Sequence, residues 1–438
     1  MTNHDLLPTV TAETISPAWL NARMNISSIQ SIKVERIGAD IGLTDLVYRI
    51  HLTHSPSSSS SSTKASSNAP SSVVIKILDS SLPYRHPFSL LSTREILFYT
   101  SIAPRLDLPS VSKCYYTFFD PETRKGCILL EDGGKSVHKG HLPVATVAQS
   151  IKAMSELGKF HGKSLKIMAG KDDQEQENGS IPKELPRPLE ATIEEMRTAL
   201  PAFRETWLPY LGEEGVARFE KAVNAYEYKW LPQKDSFLQG LVHGDYRIGN
   251  VVFGHTCEAI GEEDKPLEYV NDVRRSIAQR HGASADEDMR REAQTTTATT
   301  HTDTGAAVES PVNGDDAPMD LTFKIVDWAT LSRGPILADV AYFLALSLDR
   351  SVRRGCEFDL IYAWYTSFCE AAGPSFPSAY PDFIMSRCVH ELSIACIKAV
   401  VIAVTTMNHV KAPEAAMRMF GSKLKEVSMI LEDWKSIE

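Results

Sequence analysis

The hydrophobic pattern changes its period once along the chain, and this change constrains the fold more than any other feature. Over residues 29–130, short runs of β-branched and apolar residues are typical of strands. From Val144 onward, the apolar residues recur with the spacing of helices. Strands followed by helices indicate an α+β fold. We therefore expect a β-rich amino-terminal lobe at residues 1–131 and a mainly helical carboxy-terminal lobe at residues 132–438.

The predicted elements follow from these two periods. Strand-like runs occupy residues 32–37, 46–52, 73–78 and 127–130, with one helical pattern at 92–102 among them. Later helical patterns occupy residues 144–168, 189–200, 215–230, 339–348, 358–371 and 381–406. Short strand-like pieces at 241–242, 251–253 and 323–326 interrupt them. We expect these pieces to form hairpin-like loops within the helical lobe.

Three polar stretches are expected to lie outside the packed core. Residues 55–72 are mostly serine, and residues 261–318 are rich in Glu, Asp, Arg, Thr and Ala. Such compositions bury too little apolar surface to offset the entropy of ordering the chain. A shorter polar segment, 171–180, joins two helical patterns. We predict surface insertions, with either disorder or one short helix at 273–280 in the long one.

Composition and charge exclude several classes of protein. The net charge of −10 over 438 residues opposes general nucleic-acid binding, which needs a basic surface. No apolar run reaches the roughly 18 residues of a membrane span, and the N-terminus lacks the pattern of a secretory signal. Seven cysteines without a C-x-x-C pair favour neither a disulfide framework nor a zinc site. We expect a cytoplasmic protein without a membrane span or a nucleic-acid partner.

One eight-residue stretch, His-Gly-Asp-Tyr-Arg-Ile-Gly-Asn at 243–250, carries the strongest chemical signal. Asp245 and Asn250 have the Asp-x-x-x-x-Asn spacing of a kinase catalytic loop, in which the Asp accepts a hydroxyl proton and the Asn holds magnesium. The apolar run 251–253 would anchor the loop as a strand. The alternative is a chance His-Gly-Asp before a buried strand, with both polar residues acting as turn formers.

A second carboxylate, Asp327, leaves the short strand at 323–326. A magnesium ligand is expected at such a position, as in the D-F-G of protein kinases, although Trp328 and Ala329 stand here in place of Phe and Gly. Asn250 and Asp327 would supply the protein ligands that Mg²⁺ takes beside phosphate oxygens and water. The alternative is an Asp that only ends a strand.

Lys76 ends the run Val-Val-Ile-Lys at 73–76, which is similar to the V-A-I-K of a kinase third strand. A cation there would contact the inner phosphates of a nucleotide and pair with a helix carboxylate, for which Glu95 is the natural candidate. An exposed lysine on an amphipathic strand is the alternative. The order along the chain favours function, because the lysine, the helix acid, the loop and the second acid occur as in kinases.

Two further segments are candidates for contacts with the nucleotide. Gly38 and Gly42 flank a turn where backbone N–H groups can approach phosphates, with Thr44 as an extra contact. A plain β-turn explains their spacing equally well. Glu131 and Gly133 follow a strand where an inter-lobe hinge would present backbone groups to an adenine edge, and an ordinary turn is again the alternative.

One histidine and one acid are expected to support the site. His243 and Asp339 are predicted to hold the 243–250 loop. Asp339 would do so by capping its own helix and by accepting backbone N–H groups of the loop. His161, on a helical pattern, is interpreted as a packing histidine.

With these residues in view, the chain resembles the aminoglycoside phosphotransferase and choline kinase superfamily, and within it the ecdysteroid-kinase-like (CHK kinase-like) branch. The resemblance covers most of residues 29–348. It implies a bilobal protein-kinase-like fold that uses ATP and Mg²⁺ to transfer the γ-phosphoryl group to a hydroxyl of a small molecule. It rests on residues 243–250, Ile-Val-Asp-Trp at 325–328, Gly-Pro at 334–335 and Asp-Val-Ala-Tyr-Phe-Leu at 339–344.

The resemblance also implies roles for single residues. The chain departs from the family pattern at two points. Ala329 stands two positions after the metal Asp, where the family often has Gln or Glu. The two metal ligands are 77 positions apart (327 − 250), an excess that the 261–318 insertion explains. In the implied roles Asp245 is the catalytic base, Asn250 and Asp327 are magnesium ligands, and Lys76 is the phosphate contact paired with Glu95.

Three functions stay open on the sequence alone. The leading one is phosphorylation of a hydroxylated metabolite such as a steroid or an alcohol. The second is phosphorylation of an aminoglycoside-type antibiotic, although the carboxy-terminal helices at residues 361–407 are mixed and fairly apolar, which favours a less cationic acceptor. The acceptor pocket is expected in helices of residues 201–230 and 362–407. The third is a pseudokinase scaffold. The chain retains all four residues of the expected phosphoryl-transfer centre, which argues against a scaffold: Lys76, Asp245, Asn250 and Asp327.

Overall fold

The computed structural model describes residues 14–37, 45–55, 69–78, 91–120, 122–123, 125–134, 144–168, 190–253, 323–408 and 410–438. The predictions for 171–180 and 261–318, and most of that for 55–72, fall outside these ranges. Within them the α+β prediction is confirmed, because a five-stranded antiparallel sheet precedes a mainly helical part.

Five strands form the amino-terminal sheet in the order β1-β2-β3-β5-β4. Alternate residues of β3 are buried, so Val73, Ile75 and Ile77 face a core that helix α1 (Pro17–Met24) closes. Lys76 therefore points to the other face of the sheet. The strands are β1 (Ile29–Ile37), β2 (Asp45–His54), β3 (Ser72–Leu78), β4 (Cys114–Asp120) and β5 (Lys125–Glu131), each antiparallel to its neighbours.

Two elements of this part, α1 and β4, were not predicted. Helix α1 begins with a capping hydroxyl, because Ser16 Oγ accepts a hydrogen bond from the Trp19 N–H at 3.2 Å. All seven residues of β4 are half-buried, so the strand lacks the alternation that sequence reasoning relies on. Its Tyr116 ring packs edge-on against Trp19, with 5.8 Å between the ring centroids.

Between β3 and β4 the chain is helical. Helix α2 (Leu91–Leu97) continues through a π-helical turn (Phe98–Ile102) into α3 (Ala103–Leu106). The predicted helix at 92–102 is thus present and extends further. It places Glu95, which is fully buried, opposite Lys76 of β3.

The helices of the carboxy-terminal part pack around one large apolar core. Gly158 and Gly162 of α4 lie against the backbone of α8, where a Cβ would collide with the carbonyl oxygens of Trp364 and Phe368. The helices are α4 (Val147–Met168), α5 (Ile193–Ala225), α6 (Leu231–Gln233), α7 (Leu337–Leu346), α8 (Arg350–Ala372), α9 (Phe376–Ala379), α10 (Met385–Thr406) and α11 (Glu414–Asp433).

The predicted helices at 189–200 and 215–230 are parts of one long element. Helix α5 begins at a capping box formed by Thr192 and Glu195 and runs through two prolines. It kinks at Gly212, whose φ of 69° and ψ of 173° are not helical. A further π-helical turn, Tyr226–Trp230, follows it. The segment between the predicted helices stays helical because it buries Phe203 and Trp207.

Two short antiparallel ladders hold the loops of the helical part. The strand-like pieces at 241–242 and 251–253 do not pair with each other. Each pairs instead with a strand beyond residue 322, which brings the 243–250 loop beside residues 326–331. The ladders join β6 (Gln239–Val242) to β9 (Ser332–Pro335) and β7 (Val251–Phe253) to β8 (Phe323–Ile325).

One helix in the described ranges, α10, is long and apolar enough to cross a membrane by length and composition alone. Its apolar window is 67% buried inside the protein, as in the core helix of a folded domain. Its burial against the core accounts for the apolar composition.

Candidate active site

The 243–250 loop crosses from β6 to β7 and ends in a 3-10 turn, Ile248–Asn250. The Asn250 amide group donates to both the backbone oxygen and Oδ2 of Asp245, each at 2.8 Å. Both N–H groups of the amide are thereby directed at Asp245. The amide oxygen of Asn250, Oδ1, has no hydrogen-bond donor among the described residues, so it is available as a metal ligand.

A buried carboxylate, Asp339 of α7, holds the start of this loop. Its Oδ2 accepts from the His243 N–H at 2.7 Å and its Oδ1 from the Gly244 N–H at 2.8 Å. Behind it, His161 Nε2 lies 3.1 Å from Oδ2, while His161 Nδ1 accepts from the indole N–H of Trp364 at 3.0 Å. Because Nδ1 is an acceptor, Nε2 carries the proton and donates to Asp339.

Ionisation in this group follows from the contacts. Burial alone would raise the pKa of Asp339, but the His161 hydrogen bond and the loop N–H groups hold it below its usual range. Burial lowers the pKa of His161, so its imidazole is neutral. Asp339 is therefore a carboxylate that accepts three hydrogen bonds inside the core.

Removing this carboxylate is expected to destabilise the protein. Asp339→Ala would leave three buried donors without an acceptor, a loss of about 3 kcal/mol or more in the free energy of unfolding. Asp339→Asn keeps one acceptor oxygen and should lose less. Urea unfolding followed by tryptophan fluorescence measures both, with exposed Asp382→Ala as the control. Equal stability of Asp339→Ala and wild type would contradict the bracing role.

Gly244 occupies the sharpest point of the loop. Its φ is +84°, and a Cβ would lie 2.7 Å from the Thr330 carbonyl oxygen. The Thr330 hydroxyl donates to the His243 carbonyl oxygen at 2.7 Å, which fastens the loop to residues 328–330. Both the backbone angle and the space therefore require glycine at this position.

Asp327 follows β8 in a left-handed conformation, with φ 67° and ψ 61°. The N–H of the preceding residue, Val326, donates to the Asn250 carbonyl oxygen at 3.0 Å. Asp327 therefore lies beside the end of the 243–250 loop. His243 reinforces this contact. Its Nδ1 accepts from the Asp245 N–H at 3.3 Å, so its Nε2 carries the proton and donates to the Val326 oxygen at 3.0 Å.

Trp328, one of the two departures from the kinase D-F-G pattern, has a packing role. It is fully buried, and its ring stacks on Phe98 of the π-helical turn with 3.8 Å between centroids. The His243 ring lies 4.7 Å away on another side. The indole thus joins the helix that carries Glu95 to the 243–250 loop.

Lys76 connects the sheet to the helical part. Its Nζ donates to Glu95 Oε2 at 2.6 Å and to Asp327 Oδ1 at 3.2 Å. The Lys76 ammonium holds the pKa of Asp327 below its usual range, and burial opposes it only in part. The second oxygen of Asp327, Oδ2, has no hydrogen-bond donor in the described ranges. A lysine and two carboxylates from three separate segments therefore meet at one point.

Two residues beside Asp245 were not singled out from the sequence. Arg247 Nε lies 3.2 Å from Asp245 Oδ1 and 3.4 Å from Oδ2. The Tyr342 hydroxyl is hydrogen-bonded to Asp245, and burial together with this carboxylate raises the pKa of Tyr342 well above its usual range. The signal was the i, i+3 spacing of Asp339 and Tyr342 on α7, which puts both on the face toward the loop.

Of the five residues predicted to contact the nucleotide beside Lys76 and Glu95, the structure describes two, Glu131 and Gly133. Gly38, Gly42 and Thr44 lie outside the described residues. The Glu131 side chain is engaged by Lys324 Nζ at 2.7 Å, and its backbone N–H donates to the Lys113 oxygen at 2.8 Å. Gly133 follows in an extended stretch where a Cβ would approach the Lys324 side chain at 3.0 Å.

The sequence also missed the anchor of this segment, Asp132. Its carboxylate accepts from Arg49 Nε at 2.7 Å and from the Ser72 hydroxyl at 2.6 Å. Burial alone would raise the pKa of Asp132, but these hydrogen bonds hold it below its usual range. The end of β5 is therefore fixed to its neighbour β3 and also to β2, which does not pair with it.

The residues near Asp327 fit a hard divalent cation. The described part of the chain holds no group of three or more His, Cys, Asp or Glu side chains that could bind a metal without further ligands. Asn250 Oδ1 and Asp327 Oδ2 are two uncommitted oxygen atoms, the donor type that Mg²⁺ prefers. Such a donor pair suits an ion that completes its coordination with phosphate oxygens and water.

Comparisons with solved structures give full-length but distant likenesses. A microcompartment-associated aminopropanol kinase matches with 10% identity, 95% of this chain and 96% of that chain covered, and a TM-score of 0.47. For the GDP complex of wild-type aminoglycoside 2'-phosphotransferase-IIIa the values are 12%, 94%, 96% and 0.43. For a Plasmodium vivax ethanolamine kinase they are 10%, 92%, 83% and 0.40. No curated protein matches the chain.

A family model supplies the assignment. The model of the ecdysteroid kinase-like family matches residues 44–264, which is half of the chain and includes Lys76, Glu95 and the whole 243–250 loop. This match confirms the family inferred from the motifs. The chain belongs to the ecdysteroid kinase-like family and is a small-molecule kinase.

Proposed function

We propose that the protein transfers the γ-phosphoryl group of ATP, bound with Mg²⁺, to a hydroxyl group of a small-molecule metabolite. The observation that carries this proposal is the position of Lys76 Nζ, within 3.2 Å of both Glu95 and Asp327. A lysine paired to a helix acid on one side and to a metal-type acid on the other is the arrangement that positions nucleotide phosphates.

The binding roles follow from this arrangement. Residues 1–131 form the nucleotide-binding lobe and residues 132–438 the helical lobe with the acceptor site. Lys76 donates to the inner phosphates, and Glu95 fixes its direction. Asn250 Oδ1 and the Asp327 carboxylate would hold Mg²⁺, which would neutralise charge on the phosphates. Glu131 and Gly133 would contact the adenine, and Gly38, Gly42 and Thr44 would contact the phosphates.

Asp245 acts as the catalytic base. A new bond forms between the acceptor oxygen and the γ-phosphorus, and the bond from that phosphorus to the β,γ-bridging oxygen breaks. The hydroxyl proton passes to the Asp245 carboxylate, and ADP leaves with the electron pair of the broken bond. Asn250 and Tyr342 fix the carboxylate by their hydrogen bonds, so that it faces the acceptor without a search among rotamers.

The class of acceptor is proposed as an alcohol or a steroid. The apolar residues of the expected acceptor region give less support than the sequence suggested. Ile361, Trp364 and Phe368 are fully buried in the core, so they pack helices and do not line an open pocket. The name of the matched family, ecdysteroid kinase-like, supports a hydroxylated and weakly charged acceptor.

The phosphate contact has a direct test in Lys76→Met combined with Glu95→Gln. The double change removes both charges of the buried Lys76–Glu95 pair and leaves only Asp327, whose side chain is 44% exposed, without its lysine. Because a charge-assisted hydrogen bond contributes about 1.5–3 kcal/mol, we expect the affinity for ATP with Mg²⁺ to fall roughly 10- to 150-fold. Isothermal titration calorimetry measures it. Lys221→Met with Glu194→Gln removes the same charges from exposed positions and should bind as wild type. Unchanged affinity in the first variant would contradict the role of Lys76.

A further inference from the structure

Arg247 has a position that the proposed roles leave unused. It lies two residues after Asp245, and its Nε is directed at both oxygens of that carboxylate, at 3.2 and 3.4 Å. The side chain is 32% exposed, so the guanidinium is partly shielded but can still reach a bound molecule. The Arg247 guanidinium therefore orients the Asp245 carboxylate and is itself accessible beside it.

Most of the guanidinium donors of Arg247 are uncommitted. A guanidinium has five N–H groups in a planar fork, and only the one on Nε is used by Asp245. In the described ranges no acceptor lies within hydrogen-bond distance of NH1 or NH2. Burial alone would lower the pKa of Arg247, but Asp245, with Tyr342 and Asp327 helping, raises it. The group is a permanent cation with four N–H groups available to a ligand.

The surroundings show where these donors act. Asp245, to which Arg247 is hydrogen-bonded, also accepts from the Asn250 amide at 2.8 Å. The N–H of Val326, the residue before Asp327, donates to the Asn250 carbonyl oxygen at 3.0 Å. The guanidinium therefore lies within electrostatic range of both the proposed base and the proposed metal ligand. The transferred phosphoryl group must pass between these two carboxylates, which places Arg247 beside it.

The loop is shaped to hold the guanidinium there. Gly249 comes two positions after Arg247, and a Cβ at Gly249 would collide with NH1. Glycine thus lets the guanidinium fold back over the 3-10 turn and stay near Asp245. Because the backbone of Gly249 is not in the left-handed region, the glycine is explained by this contact and not by its own conformation.

A simple ion pair would explain the Nε contact but not the rest. An ion pair with Asp245 needs neither a glycine at position 249 to make room for NH1 nor two unused donor groups beside the path of the phosphoryl group. A recognition site for an anionic acceptor is the other alternative. Arg247 is bonded to Asp245 and lies within range of Asp327, which favours the phosphoryl group over a more distant part of the acceptor.

We propose that Arg247 is a catalytic residue that donates hydrogen bonds from NH1 and NH2 to the γ-phosphoryl oxygens while the group moves from ATP to the acceptor. This inference rests on the proposed function. Lys76 serves the inner phosphates, and Arg247 serves the charge that develops on the transferred group. An arginine that meets this charge contributes about 10³- to 10⁵-fold to the rate in other phosphoryl-transfer enzymes.

The first test uses a transition-state analogue, so that no acceptor has to be known. Wild type should bind ADP with Mg²⁺ more tightly when aluminium fluoride is present, measured by calorimetry. Arg247→Ala should lose about 100-fold or more of that gain while binding ADP with Mg²⁺ as wild type does. Exposed Arg418→Ala, 74% exposed on α11, is the matched control and should keep the full gain. A full gain in Arg247→Ala would overturn the proposal.

The second test separates catalysis from structure. ADP release from ATP, with water or an identified acceptor, should fall in Arg247→Ala with little change in the KM for ATP. Added guanidinium ion should restore part of the rate of Arg247→Ala but not of Asp245→Asn. A rise only in the KM for an acceptor would instead assign Arg247 to acceptor recognition and overturn the proposal.

A second variant guards against a folding defect at Arg247. Gly249→Ala keeps both Asp245 and Arg247 but forces the guanidinium away, so it should lower the rate without removing any charge. Wild-type kinetics in Gly249→Ala and Arg247→Ala together would overturn this inference alone. If wild type itself bound neither ATP nor ADP with Mg²⁺, the proposed function would fall, which is a distinguishable result.

Discussion

Asp245→Asn should retain the fold and the affinity for ATP with Mg²⁺ but lose about 10²- to 10⁴-fold in kcat. An asparagine has the size of the aspartate and can still accept one hydrogen bond, so the loop keeps its shape. It cannot take the proton of the acceptor hydroxyl. The rate of ADP release under saturating ATP, compared with calorimetric affinity, measures the two effects separately.

The matched control for this variant is Asp235→Asn. Asp235 follows α6, and its side chain is 89% exposed, so the same change of charge there should leave kcat as in wild type. A fall in the affinity for ATP with no fall in kcat would assign Asp245 to binding. An unchanged kcat in Asp245→Asn would contradict its role as the base.

Asp327→Asn should lower kcat by at least about 10³-fold and raise the Mg²⁺ concentration that gives half of the maximal rate. The variant loses one carboxylate oxygen for the cation and also the anion that faces Lys76 at 3.2 Å. Lys76 would then be attracted to Glu95 alone, so its contact with phosphates should weaken as well. A titration of the rate against Mg²⁺, at fixed ATP, measures the first effect.

A second measurement checks that Asp327→Asn keeps the fold. Asp327 stands in a left-handed conformation, which asparagine adopts readily, and its ion pair with Lys76 is half-exposed. The free energy of unfolding of Asp327→Asn in urea should therefore lie within about 1 kcal/mol of that of wild type. Exposed Asp382→Asn serves as the control for the charge. A wild-type dependence on Mg²⁺ in Asp327→Asn would contradict the assignment of Asp327 as a metal ligand.

Local chemistry made the α+β order and the main elements predictable. The strands at Ser72–Leu78 and Lys125–Glu131 carry buried apolar runs, and α4 and α10 are long periodic helices. The 243–250 loop was predictable because its turn residues and its polar residues are adjacent in sequence. The family assignment followed from this stretch together with residues 325–328, 334–335 and 339–344, and the family model confirms it.

Other features depend on tertiary contacts, which no window of sequence contains. Lys76 and Asp327 are 251 positions apart, and their meeting depends on how the sheet packs on the helical part. The direction of the Arg247 side chain depends on the space at Gly249 and on the carboxylate of Asp245. Strand β4 lacks alternation because it is half-buried on both faces, so its pattern carried no signal.

The most direct measurement is the transfer of phosphate from γ-labelled ATP, in the presence of Mg²⁺, to a panel of steroids, alcohols and aminoglycosides. Mass spectrometry of the labelled product identifies the acceptor. We expect wild type and Asp235→Asn to label a hydroxyl group of at least one uncharged alcohol or steroid, and Asp245→Asn and Asp327→Asn to label none above background. Equal labelling by all four proteins would contradict a phosphoryl-transfer centre built from Lys76, Asp245, Asn250 and Asp327.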